Sequence, residues 1–330
     1  MNDEKNRLSI AVLLLFMLAL AGCGRDTAQN VPQGGYDVTD IQGHVTHFAE
    51  KPKHIVTLSL STDITMLGLV EPERMAAINA LADDPVSSNI AGIAQNIPEK
   101  IGMPTSEQLM ALHPDLVVAP DWGDITIVDS LRDLGIPVVV CKGVRSIDEI
   151  RETVTLLAAA AGEPARGEDL VRQMDEKLAA LKEETSKIPT AERKTVVLIS
   201  LMSSYGGIGS TFDDACGYAG VKNGMAELGI HTGQVMTKEQ LVAIDPDILF
   251  LPTYNAHGTY DVAAFREKYL GDPALATLKA IKTGALREPR EGYIYNGSQD
   301  IVFGAQEIAY MAYGDAFAQP DGLHLTAVKR

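Results

Sequence analysis

Two carboxylates stand at the same place in a phrase that this chain writes twice. TSEQLMALHPDLVVAP begins at Thr105 and TKEQLVAIDPDILFLP at Thr237, 132 positions later, and eight of the sixteen aligned residues are identical. In each copy a Thr is followed three residues later by Gln, a capping box that opens a helix. Glu107 and Glu239 therefore fall in a first helical turn, where the helix dipole favours negative charge. A carboxylate held there is exposed, fixed in direction and ionised, which suits it to an arginine partner; the plainer alternative is that both only satisfy a helix start. Three aromatic side chains are also placed for contact, in loops rich in Gly and polar residues: Trp122 in PDWGD, Tyr205 in LMSSYGG and Tyr254 in PTYNAHG. Each offers a face for stacking, or an ordinary half-buried ring. Arg145, in GVRS, could meet an anion or simply be solvated. Catalytic signatures are missing: there is no G-x-S-x-G elbow, no Cys-x-x-Cys pair and no His-Glu-x-x-His. The run YGGIGSTF has glycines without the Lys and spacing of a phosphate-binding loop.

These residues need elements to position them. HIVTLS (54–59), LVVAP (116–120), PVVVCK (137–142), TVVLIS (195–200) and DILFLP (247–252) read as buried strands. Between them lie amphipathic segments such as ITIVDSLRDLG (125–135) and SIDEIRETVTLLAAAAG (146–162), each closed by Gly. Alternation of this kind predicts an α/β fold with parallel strands. EPARGEDLVRQMDEKLAALKEETSKI (163–188) differs, being one long helical pattern rich in Glu, Lys, Ala and Leu. It predicts a stiff rod rather than a flexible linker. Each duplicated phrase reads as helix, Pro-Asp turn and strand, so the chain holds two similar halves around the rod, with a cleft between them. Ligands of open α/β sheets sit beyond the strand ends. That points to ALADDP (80–85), EKIGMP (99–104), PDWGD (120–124), LMSSYGG (201–207), PTYNAHG (252–258) and YNGSQD (295–300).

The N-terminal stretch reads separately. MNDEKNR is a charged segment, LSIAVLLLFMLALA an apolar run of about 14 residues, too short for a comfortable bilayer span. It ends at Leu20-Ala21-Gly22-Cys23, which resembles the bacterial lipobox: residues 1–22 are expected to be removed and the Cys23 thiol acylated. A plain secretory signal or uncleaved anchor is the alternative. The polar, Gly-rich segment 23–35 would then tether a domain to a membrane surface. A formal charge of −16 argues against nucleic acid, whose phosphates need Lys and Arg. Cys141 and Cys216 fall in different halves and read as small buried hydrophobes rather than a bridge.

The order HIVTLSLSTDITMLGL, SEQLMALHPDLVV, LRDLGIPVVV, the rod, GSTFDDACGYAGVKN, KEQLVAIDPDILF and GYIYNGSQDIVFGAQEIA resembles the iron-complex and vitamin-B12 binding proteins of ABC importers. The similarity runs from about Tyr36 to near the C-terminus. It implies two Rossmann-like lobes, 36–162 and 189–330, joined by one rigid helix (163–188), the class III periplasmic-binding-protein fold, with a ligand cleft between the lobes. It also implies that Glu107 and Glu239 dock onto basic pockets of a two-fold permease dimer that carries its ATPase. The product would be a monomeric, lipid-anchored, extracytoplasmic binding protein with no catalytic activity and no cofactor of its own. Its ligand would be a ferric siderophore, heme or a corrinoid. Vitamin-B12 binders of the family carry Trp where Ile101 and Gly233 stand here, which lowers that reading. Some heme binders use a Met or Tyr before the first docking Glu and a His after the strand that follows the second; Met103 and His257 lie in those neighbourhoods, or else fill a gap and face solvent. A siderophore holds its own iron and leaves no metal motif. Direct metal-ion binding would need His and carboxylates converging from both lobes, whereas the seven His are scattered. An exported enzyme of the nitrogenase-cofactor type would need more cysteines than Cys141 and Cys216.

Overall fold

The computed structural model describes residues 34–202, 205–253 and 261–329; Cys23, Tyr254 and His257 lie outside them, as does the expected leader 1–22. β1 (Tyr36–Thr39) and β2 (Val45–Phe48) pair as an antiparallel hairpin. β3 (Ile55–Thr57), β4 (Met75–Asn79), β5 (Glu99–Ile101), β6 (Leu116–Pro120) and β7 (Val138–Cys141) form a parallel sheet in the order β5-β4-β3-β6-β7. β8 (Thr195–Leu198), β9 (Lys222–Asn223), β10 (Ile248–Phe250) and β11 (Leu286–Arg287) form a second parallel sheet in the order β11-β10-β8-β9. The runs IVT, LVVAP, VVVC and ILF are buried at every residue, as parallel strands covered on both faces require. Strand order reverses beside β3 in the first sheet and beside β8 in the second, so these are the switch strands.

Helices cover both sheets. Pro164–Ser186 is unbroken over 23 residues, about 34 Å at 1.5 Å per residue, with Pro at its first turn. Its buried stripe is Gly167, Leu170, Met174, Leu178, Leu181 and Thr185, spaced by three and four as one helical face demands. The N-terminal part packs on the first half, where a Cβ on Gly167 would meet the Ala158 methyl at 2.5 Å. The C-terminal part packs on the second half, where the Thr185 hydroxyl donates to the Tyr218 carbonyl at 2.8 Å and Lys182 to the Gly217 carbonyl. One hydrophobic core runs through both halves along this rod, joining Ile64, Met66 and Leu157 to Phe212, Phe250 and Ile308. Smaller cores lie on the far face of each sheet, around Leu109 and Leu131 in one and Leu241 and Leu275 in the other.

A polar joint reinforces that shared core. The Asp300 carboxylate, fully buried, accepts from Asn89 Nδ2 of the first half at 2.7 Å. It also bonds His324 Nδ1 at 2.7 Å and the Leu325 amide at 2.8 Å, both in the C-terminal segment. That segment returns to the first half, where the Ala327 amide donates to the Gly68 carbonyl at 2.9 Å. Gln299 Nε2 completes the joint by donating to the Ile64 and Leu325 carbonyls.

The duplicated phrase folds twice in the same way. Ser106–Ala111 and Lys238–Ile244 are short helices whose caps, Thr105 and Thr237, have φ/ψ of −83°/164° and −82°/164°. Both capping boxes close, with Thr hydroxyl accepting from the Gln amide and Gln Oε1 from the Thr amide. His113 and Asp245, equivalent positions before the Pro, are the two non-glycine residues with positive φ among the described residues. The Asp of each Pro-Asp then pins the neighbouring strand. Asp115 accepts from the Lys53 and His54 amides ahead of β3, and Asp247 from the Thr195 amide of β8. β4, β5, β9, β11 and the hairpin are additional to the strands read from sequence, because they are Ala-rich, exposed or only two residues long.

Candidate binding cleft

The carboxyl ends of the two sheets converge on openings walled by both halves. Leu60, just beyond β3, faces Ser200, Leu201 and Met202, just beyond β8, across a cavity of about 240 Å³. Leu81, Ser87, Glu291 and Tyr295 complete its wall. A second opening of about 520 Å³ adjoins it, lined on one side by Pro85, Val86, Ser88 and Asn89 and on the other by Thr253, Arg290, Glu291 and Tyr293. The smaller cavity is thus mainly hydrocarbon and hydroxyl, with one carboxylate, and lies beyond the switch strands of both sheets.

Its aromatic wall is Tyr295. Burial pushes the Tyr295 hydroxyl well above the ordinary tyrosine range, with a Ser200 hydrogen bond working the other way. The ring rests on Tyr205, centroids 5.1 Å apart and planes tilted 41°. Tyr205 backs Tyr295, its hydroxyl bonded to the Thr211 hydroxyl at 2.9 Å and its pKa raised by burial to about 12, and it is not among the residues that line the two cavities. Glu291 is buried where the two openings meet, and its carboxylate accepts from the Thr253 amide at 2.5 Å. Arg290 is committed elsewhere: it bonds both Glu307 and Asp321 and lies 5.0 Å from the Tyr293 ring centre. Sequence reasoning missed Leu60, Ser87 and Glu291, whereas Leu81 and Met202 fall within the loops ALADDP and LMSSYGG placed beyond the strand ends; the signal available was the position of Leu60 just after a strand and of Glu291 at the start of a short helix.

The other candidates are apart from these cavities. Trp122 follows β6 and is 70% exposed, its indole lying so close to the Gly143 backbone that a Cβ there would meet Cδ1 at 2.6 Å. Asp121 fixes that loop by accepting from the Gly143 amide at 2.8 Å. Arg145, after β7, is exposed, and its backbone amide donates to Glu149. Met103 is fully exposed beside the helix Ser106–Ala111. Glu107 and Glu239 are exposed and make no ion pair among the described residues. Their own backbone N–H groups and the cap hydroxyls Thr105 and Thr237 hold both carboxyls below the ordinary range. Cys141 and Cys216 are free and buried, and burial raises both thiols, Cys141 to about 12. Among the described residues no group of three or more His, Cys, Asp or Glu could hold a metal ion, and no helix is long and apolar enough to cross a membrane.

Residues 55–290, spanning both sheets and the rod, match the family described as periplasmic binding protein. The chain belongs to that family. It is accordingly the substrate-binding component of an ABC transporter and not an enzyme. The binding protein is 26% identical to the ABC transporter substrate-binding lipoprotein YvrC of Bacillus subtilis, covering 94% of this chain and 98% of that one. It is 24% identical to the Fe(3+)-citrate-binding protein YfmC of the same organism, over 83% and 86% of the two chains. Among solved structures it superposes on the periplasmic heme-binding protein RhuT of Roseiflexus sp. RS-1 in its apo form. The TM-score is 0.67 at 20% identity, over 79% of this chain and 98% of that one. The two-lobe class III architecture follows from that fold match.

Proposed function

We propose that the binding protein captures a ferric chelate, a siderophore in first place and heme in second, between its lobes and delivers it to a permease dimer while held at the membrane by lipid on Cys23. The observation that carries the reading is the cavity beyond β3 and β8, to which both halves contribute apolar side chains and one aromatic wall. A ferric siderophore brings its own iron ligands and asks the protein for shape and stacking. Leu60, Leu81, Met202 and Tyr295 are suited to that. YfmC is a Fe(3+)-citrate-binding protein and RhuT a heme-binding one, which supports iron in either form. Trp122, exposed two residues beyond the end of β6 and outside both cavities, is the indole that a chelate reaching past the cavity walls would meet. Glu107 and Glu239 present ionised carboxylates outside the cavities, one from each half, as docking to two equivalent sockets requires.

Fluorescence of the single indole supplies the test. Ferric hydroxamate and ferric catecholate siderophores, hemin and cyanocobalamin are titrated in parallel into the wild type and Tyr295→Ala. A ferric siderophore is expected to quench Trp122 at the lowest concentration, with Tyr295→Ala weakening that ligand by about tenfold or more. Tight binding of cobalamin alone would remove the iron reading. Unchanged affinity in Tyr295→Ala would move the ligand out of this cavity.

A further inference from the structure

Eleven large apolar side chains are exposed among the described residues, and four of them occupy equivalent positions in or just before the duplicated phrase. Met103 and Val235 each stand two residues before the capping Thr, 100% and 62% exposed. Met110 and Val242 each stand three residues after the exposed Glu, 44% and 39% exposed. Residues three apart lie on one helix face, so Glu107 shares a face with Met110 and Glu239 with Val242. The intervening Leu109 and Leu241 turn inward and are buried. Residue identity differs between copies at both flanking positions, yet both copies are apolar there. Neither position serves the core, and a Met left wholly in water contributes nothing to folding. Exposed apolar surface of this kind, repeated around an uncommitted carboxylate, marks an interaction surface.

We infer that each half carries a compound foot, a carboxylate between two apolar side chains: Met103, Glu107 and Met110 on one, Val235, Glu239 and Val242 on the other. The partner these feet fit is a two-fold symmetric membrane protein with two sockets, each a guanidinium or ammonium group set in an apolar rim. The rim has a physical task. Apolar contacts that exclude water around an ion pair lower the local dielectric and strengthen it, whereas the same pair in open water contributes little. Met103 is then a contact to the partner rather than a ligand to heme iron. The inference rests on reading Glu107 and Glu239 as docking residues, and adds the apolar half of the contact.

The experiment measures binding of the delipidated chain to the permease of its own importer, reconstituted with its ATPase in nanodiscs, at about 0.1 M and about 0.5 M salt. The variants are Met103→Ser with Met110→Ser, Val235→Ser with Val242→Ser, and Glu107→Gln with Glu239→Gln. Each Ser pair is expected to weaken docking by about tenfold or more at both salt concentrations. The Gln pair should lose more at low salt than at high salt. Ligand-induced quenching of Trp122 and the melting temperature should stay at wild-type values in all three. Wild-type docking by both Ser pairs overturns the inference while leaving the glutamate reading intact. Wild-type docking by the Gln pair removes the glutamate reading itself. Loss of ligand affinity in Met103→Ser with docking unchanged would return Met103 to the cleft.

Discussion

Replacing Asp300 by Ala should destabilise the whole molecule although the residue touches neither cavity. Its carboxylate is fully buried and gathers three partners from two distant parts of the chain: Asn89 at 2.7 Å in the first half, and His324 Nδ1 at 2.7 Å and the Leu325 amide at 2.8 Å in the C-terminal segment. Truncation removes the acceptor and leaves those groups in an interior that water cannot reach. Losing one partner of such a buried, hydrogen-bonded charge costs about 3–5 kcal/mol. For a body of roughly 300 residues the entropy of unfolding is roughly 0.6 kcal/mol/K, so the melting temperature should fall by about 5–8 °C. Asp300→Asn should fall between wild type and Ala, because the amide keeps one acceptor oxygen for Leu325 but turns a donor toward Asn89. Scanning calorimetry of the ligand-free protein reads both shifts. A fall of less than about 2 °C for Asp300→Ala would show that the joint is dispensable and that the apolar core alone holds the halves together.

Two further outcomes are expected. Asp63 is fully buried, bonded to the Thr57 hydroxyl at 2.5 Å and the Asn79 amide at 3.0 Å, and burial pushes its pKa well above the carboxylate range. The folded state therefore binds this proton more tightly than the unfolded chain: its contribution is complete below the unfolded pKa and declines as pH rises toward the folded one. Asp63→Asn should remove that decline, its amide donating to Thr57 and its oxygen accepting from Asn79; urea midpoints at pH 5 and pH 8 that fall equally in both proteins would contradict this. Cys23→Ser should block acylation and processing of the leader, leaving an intact mass with residues 1–22 attached; a wild-type protein that begins at Cys23 without lipid mass would defeat the anchor.

How far the fold could be read beforehand followed from the range of the interactions involved. The capping boxes at Thr105 and Thr237 are four-residue features, and the structure closes both with the predicted partners. The rod was equally legible, because Leu170, Met174, Leu178 and Leu181 repeat at helical spacing over a long stretch with no Gly after Gly167. The cavity was legible only by segment. Leu81, Met202 and Tyr295 fall in ALADDP, LMSSYGG and YNGSQD, three of the loops placed beyond the strand ends, but nothing local marks which residue of each ends beside a hole rather than inside a core, and Leu60 lies outside them all. Polar loops misled in a particular way. YNGSQD was read as cleft lining, yet Asn296, Ser298, Gln299 and Asp300 are all buried and bond protein groups, with Tyr295 alone reaching the cavity. A polar run signals hydrogen bonds to be made but not with whom. Tyr205 shows the same limit, since its Gly-rich loop folds the ring back onto Tyr295.

The core shared along Pro164–Ser186 makes the two halves one thermodynamic unit. Ile64 and Met66 in one half and Phe212 and Ile308 in the other lose their packing together, so neither half can melt while its neighbour stays native. Heating should meet a single cooperative transition, and a chain cut within the rod should yield two pieces that fold poorly, each with an open apolar flank. A ligand held only at the cleft would raise the melting point of the entire molecule by mass action, including helices far from it. The duplicated phrase suggests two modules, but the interior has merged them: what repeats in the sequence no longer separates in energy.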